Sequence, residues 1–205
     1  MELEQTSMGT TQKEANTILV GKKPAMNYVL AVVTRLNNGA NKVTVKARGN
    51  AISRAVDVVE IVRNRFFPEM KSPSGNNIWI STEEISNEDG TKSKVSAIQL
   101  LLANADLPSG EQPSAENTVY IGKKPTMNYV LAVVTQLNNG MKSVMVKARG
   151  NSISKAVDVS EIARNRFVQT LKNPSCECIT IASEELMNED GTKSKVSSIA
   201  ITLAK

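Results

Sequence analysis

Shifted by 101 residues, the sequence lies on itself. Asn16–Asn104 set against Asn117–Lys205 gives 58 identities in 89 positions without a gap, about 65%. Gly21-Lys22-Lys23-Pro24 meets Gly122-Lys123-Lys124-Pro125, and Lys46-Ala47-Arg48-Gly49-Asn50 meets Lys147-Ala148-Arg149-Gly150-Asn151. A unit of about 90 residues written twice is a tandem domain duplication rather than a solenoid of short stacked repeats. The chain therefore divides into an N-terminal arm (1–14), a first domain (15–104), a linker (105–116) and a second domain (117–205). The linker, rich in Pro, Gly, Ser and acids, reads as flexible, with a stretched reach of about 40 Å. Each copy is close to the lower size limit for a self-sufficient core, which favours burying apolar surface between the copies.

Composition then removes whole classes of chemistry. The 205 residues include no histidine, so imidazole bases, Ser-His triads and His-ligated metals are out of reach. Aromatic residues make up 3% of the chain, which leaves little for stacking platforms. Hydrophobic content of 40% with 22% charged residues is an ordinary globular balance. No apolar run approaches the roughly 18 to 20 residues of a membrane span, and Met1–Thr10 is too polar for a secretory signal. We expect no membrane partner and a cytoplasmic location. The net charge of +5 is unevenly spread: residues 12–104 and 117–205 carry +5 each, while the arm carries −2 and the linker −3. The basicity belongs to the folded units, and a basic domain seeks anionic partners.

One copy predicts the order β-α-β-α-β-β, an α+β domain with two helices on one side of a small mixed sheet. Thr17-Ile18-Leu19-Val20 reads as a buried strand. Pro24 suits the first helical position, after which Met26, Val29, Leu30, Val33 and Leu36 form the inward stripe. Gly39 offers the left-handed stop. Val43, Val45 and Ala47 alternate with basic outward residues in a second strand. Asn50 is expected to cap a second helix with Ile52, Ala55, Val56, Val59 and Val62 inward. Strands starting at Ile78 and running from Val95 to Leu102 follow, joined by the tight-hairpin signal Asp89-Gly90.

Candidate binding residues fall in three places. Lys22 and Lys23, with Lys123 and Lys124, precede a helix N-terminus, where amides and the helix dipole favour anions. They read either as phosphate contacts or as a solvated loop. Lys46, Arg48, Asn50 and Arg54, repeated as Lys147, Arg149, Asn151 and Lys155, form a basic sheet end, read equally well as ordinary surface charge. Lys92 and Lys94, with Lys193 and Lys195, flank the hairpins as groove-tracking cations or as edge-strand lysines that discourage aggregation. Cys176 and Cys178 occur only in the second copy; two thiols cannot complete a tetrahedral zinc site, so they read as free thiols in a reducing compartment. The acid clusters Glu83-Glu84 and Asp57…Glu60 have nothing in the sequence to place them in a pocket. With no phosphate-cradling glycine loop either, neither an enzyme, a metal nor a cofactor is expected.

Taken together, Gly-Lys-Lys-Pro-x-Met-Asn-Tyr-Val, Val-Lys-Ala-Arg-Gly-Asn-x-Ile-Ser-Arg/Lys-Ala-Val-Asp and Glu-Ile-x-Arg-Asn-Arg-Phe resemble the Alba family of archaeal chromatin proteins, which has eukaryotic relatives in RNA-binding complexes. The resemblance covers nearly all of each copy and implies a fold like the C-terminal domain of translation initiation factor three. It implies a sequence-nonspecific architectural protein of the nucleoid, with double-stranded DNA as partner and RNA as a further one. Lys22, Lys23, Lys123 and Lys124 match the paired DNA-contact lysines, and Lys22 and Lys123 match a site whose acetylation weakens binding. Arg48 and Arg149 match the sheet-end arginine, and the two hairpins match minor-groove arms. Phe66 and Phe167 match an aromatic used where dimers meet on DNA. Arg-Gly-Asn stands where the family often writes Arg-Gly-Arg or Arg-Gly-Lys, a loss of one cation per copy. Since family members work as dimers of single domains, the two copies are expected to form a covalent pseudo-dimer. Exchange of domains between chains, or pairing with another Alba-like chain, are its rivals.

Overall fold

The computed structural model describes residues 16–70, 73, 77–87, 89–103, 117–167, 179–188 and 190–204. The N-terminal arm, the linker, Cys176 and Cys178 lie outside the described residues. The first copy runs β1 (Thr17–Val20), α1 (Ala25–Asn37), β2 (Lys42–Arg48), α2 (Ala51–Ile61), β3 (Ile78–Ser86) and β4 (Lys92–Ala103). The second repeats it as β5 (Thr118–Tyr120), α3 (Thr126–Asn138), β6 (Ser143–Arg149), α4 (Ile153–Ile162), β7 (Ile179–Met187) and β8 (Lys193–Ala204). Each copy builds one four-stranded sheet, ordered β1-β2-β4-β3 and β5-β6-β8-β7. The first pair in each is parallel and the other two pairs are antiparallel, giving the expected mixed sheet.

Several local expectations are corrected. Pro24 sits one residue before α1, and its carbonyl accepts from the Asn27 N–H at 3.1 Å. Met26 and Leu30 are 43% and 57% exposed, while Val32 joins Val29 and Leu36 in the core. The helix Ala-Met-Asn-Tyr-Val-Leu-Ala-Val-Val is apolar over more than half its circumference, so periodicity alone leaves its inward direction undetermined. Strand β4 starts three residues earlier than the alternation suggests, at Lys92. The hairpin closes through Asn87 N–H to the Thr91 carbonyl at 2.8 Å, a three-residue loop in which Gly90 takes φ +80°. That left-handed backbone is why glycine follows Asp89.

Asn50 stands at the start of α2 but makes no side-chain cap; its backbone is already helical, at φ −62° and ψ −17°. The cap comes from the other copy. Ser53 N–H donates to Ser154 Oγ at 3.1 Å, and Ser154 N–H donates to Ser53 Oγ at 3.0 Å. The two hydroxyls lie 2.8 Å apart. Ser53 and Ser154 are equivalent positions, so these reciprocal bonds place an approximate two-fold axis between the starts of α2 and α4, as in an isologous interface.

Near the other ends of these helices the reciprocity is repeated. Glu60, 2% exposed, pairs with Arg63 at 3.0 Å and accepts the Ser183 hydroxyl of the second copy at 2.6 Å. Glu161, also 2% exposed, pairs with Arg164 at 2.9 Å and accepts the Thr82 hydroxyl of the first copy at 2.6 Å. Around these polar clamps the buried apolar residues of both copies form one continuous cluster. Arg63 and Arg164 lie in single π-helical turns, Val62–Phe66 and Ala163–Phe167, that end with Phe66 and Phe167 exposed. No helix among the described residues is long and apolar enough to cross a membrane.

Asp158 on α4 gives this interface a pH dependence. Burial pushes its carboxyl above the usual carboxylate range, offset in part by a bond from the Ser96 hydroxyl of the first copy. A raised folded-state pKa means that stability falls as pH rises from the unfolded value near 3.8 through the folded one. Asp158→Asn is expected to raise the melting temperature near neutral pH and to leave it unchanged below the unfolded pKa; calorimetry in two buffers reads both.

Candidate functional site

The two Gly-Lys-Lys-Pro loops are braced rather than loose. Tyr28, near the start of α1, turns its hydroxyl back to accept Gly21 N–H at 2.8 Å and Lys23 N–H at 3.3 Å. Tyr129 repeats this with Gly122 at 2.8 Å and Lys124 at 3.2 Å. These loop amides, which precede the helix N-terminus expected to favour an anion, are occupied by phenol oxygens. From α2, Arg54 donates to the Gly21 carbonyl. Lys155 on α4 donates to the carbonyls of Gly122 and Lys124 at 2.8 and 3.0 Å. Arg54 and Lys155 thus hold the loops. Held this way, Lys22, Lys23, Lys123 and Lys124 present exposed ammonium groups beyond a fixed backbone. Sequence reading missed the tyrosines, although each stands seven residues after the loop glycine. Tyr28→Phe should cost about 1 kcal/mol in denaturant unfolding, because the Gly21 amide loses its acceptor; Tyr129→Phe should cost the same.

The sheet end is more neutral than its basic residues suggest. Arg48 is ion-paired with Glu83. Arg149 pairs with Glu184 at 2.5 Å, and Lys147 pairs with the same carboxylate at 3.3 Å. Burial pushes Glu184 up, yet the Ser198 hydroxyl, Lys147 and Arg149 together hold it below the usual carboxylate range. The acid cluster that had no place in the sequence is thus the counter-charge of the basic strand. Register between β2, β4 and β3 decides this, and register is not written in any one segment. Asn50 and Asn151 are exposed just beyond these arginines. Gly49 and Gly150 take φ +49° and +50° there, turning the chain from strand into helix.

At the hairpins, Lys92 lies 3.7 Å from Glu84 and Lys193 lies 3.6 Å from Glu185, both pairs exposed. Lys94 and Lys195 are exposed on the same arms. The Thr91 hydroxyl and amide hold the Asp89 carboxyl below its usual range, and Thr192 does the same for Asp190. The tips therefore mix both signs. Among the described residues, the lysines of the two braced loops have no ion pair, and the loops are related by the axis between Ser53 and Ser154.

Comparison with known proteins finds the repeated unit in both halves of the chain. A family model described as Alba matches residues 16–71 and 117–173. The DNA/RNA-binding protein Alba 1 of Archaeoglobus fulgidus is 58% identical over 88 residues, 43% of this chain and 94% of its own length. The DNA/RNA-binding protein Alba of Methanocella arvoryzae is 55% identical over 89 residues, 43% of this chain and 90% of its own. Among solved structures, Alba from Thermoplasma volcanium is 53% identical, covering 43% of this chain and 100% of that one, with a TM-score of 0.40. Each of these relatives aligns over the length of one copy.

Proposed function

The chain belongs to the Alba family, and from that premise we propose that it is a nucleic-acid-binding architectural protein, double-stranded DNA being its first partner. The observation that carries this is the pair of braced loops, which set Lys22 and Lys23 opposite their equivalents Lys123 and Lys124 across the two-fold axis. A duplex backbone offers phosphates to both loops, and the exposed Lys94 and Lys195 on the hairpin arms would add to the contact. Phosphate contacts position without reading sequence, so little sequence preference is expected. The relatives' names, DNA/RNA-binding protein, support RNA as a second partner bound through its backbone.

In this reading the chain acts as a covalent pseudo-dimer, since a linker of twelve residues supplies an effective concentration around millimolar. Lys22 and Lys123 are exposed at the loop tips, and acetylation there would remove a phosphate contact each. Phe66 and Phe167, 41% and 45% exposed, are the surfaces by which neighbouring molecules would meet on DNA. The place of action is the nucleoid within the cytoplasm, and the role is binding rather than catalysis. The test is fluorescence anisotropy with labelled duplex DNA, duplex RNA and single-stranded RNA. Duplex DNA bound at least as tightly as RNA supports chromatin architecture. An RNA preference of about tenfold, or 1.4 kcal/mol, moves the protein to RNA metabolism. No binding at low salt leaves a scaffold for another Alba-like chain.

A further inference from the structure

The two copies differ most tellingly on the sheet face that the helices leave open. In the first copy the register carries one row straight across the sheet: Leu19 beside Lys46, Lys46 beside Gln99, Gln99 beside Trp79. Strands lie roughly 4.8 Å apart, so the row spans about 14 Å. Directly opposed residues share a face and lie close enough to touch a common ligand. The adjoining row, Arg48–Ala97–Ser81, is small at its centre, and there the surface sinks into a groove of about 840 Å³. Trp79, the one tryptophan in the chain, borders it and is 37% exposed. Among the described residues Lys46 has no ion pair, while Glu83 in the same groove is taken by Arg48.

The second copy lacks this combination, although it keeps the lysine and carries an exposed aromatic, Tyr120, at the opposite edge of the sheet. Its equivalent row reads Tyr120, Lys147, Ala200, Thr180. Alanine and threonine replace the glutamine and the tryptophan, and Lys147 is tied to Glu184 at 3.3 Å. A singly exposed aromatic is unremarkable on any protein surface. One set beside an amide side chain and an unpaired ammonium, over a depression the size of a small ligand, has the chemistry of a nucleotide site.

We propose that the open sheet face of the first copy stacks one unpaired nucleotide of a bound nucleic-acid strand on Trp79, with Gln99 at the base edge and Lys46 on the phosphate. This rests on the nucleic-acid-binding function proposed above and gives the duplication a consequence: the two halves of the molecule are not equivalent. A base within a duplex keeps both faces in the stack, whereas an unpaired base offers a face that any aromatic platform accepts. The braced loops would hold paired segments by their phosphates while this groove takes an unstacked base from a loop, bulge or single strand.

Because Trp79 is the sole tryptophan, intrinsic fluorescence of the full chain reads the site directly. Titration with a single-stranded oligoadenylate is expected to quench the emission, and a duplex DNA of equal length to leave it unchanged. By anisotropy, Trp79→Ala should weaken oligoadenylate binding at least about fivefold. Trp79→Tyr should retain most of it, and both variants should hold the duplex within about twofold of the unaltered chain. Oligoadenylate bound equally well by Trp79→Ala, or bound to saturation without quenching, overturns the inference and leaves duplex binding standing. Quenching by free AMP with none by oligoadenylate also overturns it, since the site would then serve a free nucleotide. Failure of the unaltered chain to bind any nucleic acid overturns the function itself.

Discussion

Replacing Lys22, Lys23, Lys123 and Lys124 together by glutamine is expected to weaken duplex binding by about 10²- to 10³-fold near physiological salt. Counterion release sets the size of the effect. Each phosphate neutralised contributes a slope of about −0.9 in log K against log salt, which near 0.15 M amounts to roughly fivefold in affinity. Four fewer phosphates neutralised should also make the slope shallower by about 3 to 4. Stability should hardly change, because the loop conformation is held by Tyr28, Tyr129, Arg54 and Lys155 rather than by the four exposed side chains. Matched circular dichroism and denaturant curves would establish that the fold is intact. An affinity within about threefold of the unaltered protein would move the interface away from the loops.

The second large effect concerns the contact between copies. Glu60→Ala should lower the unfolding free energy by about 3 to 5 kcal/mol in a denaturant titration. The carboxylate is 2% exposed and collects an Arg63 ion pair, the Asn64 amide at 3.5 Å and the Ser183 hydroxyl from the other copy. Removing one partner of a buried pair leaves the other without compensation, and that accounts for most of the loss. Glu161→Ala should behave alike, since Thr82 plays the part of Ser183. Ser183→Ala removes a single hydrogen bond and should cost only about 1 kcal/mol. A loss below about 1 kcal/mol for Glu60→Ala would mean that the clamp between the copies does not hold in solution.

These positions mark where sequence reading ends. The repeat, the order of elements and the left-handed Gly39 after the first helix are all legible, because each depends on neighbours in the chain. Val43, Val45 and Ala47 read as inward from alternation, and they are buried. Ser53 and Glu60 are opaque. Polar residues on a helix read as solvent-facing, and both are buried because their partners stand on another copy about a hundred residues away. The same distance explains Asn50: its helix is capped from across the interface, so the local capping rule has nothing to satisfy.

The candidate site divides along the same line. The loop lysines stand out from their place before a helix. The loop amides beneath them have no partner that the local sequence displays, and Tyr28 and Tyr129 fold back to accept them. Arg48 and Arg149 read as open cations, and strand register brings Glu83 and Glu184 against them. Register also sets Trp79 beside Gln99 and Gln99 beside Lys46, a row assembled from segments that share no local motif. What a sequence hides here is chiefly which distant residues neutralise or complete the ones it displays.

The most direct test of the whole account is the salt dependence of duplex DNA binding by the unaltered chain, measured on two unrelated sequences. With roughly six to eight phosphates engaged across both copies, log K should fall against log salt with a slope of about −5 to −7, the same for both duplexes. A slope shallower than about −2, or affinity that follows sequence rather than salt, would contradict a molecule that grips the phosphate backbone through paired basic loops.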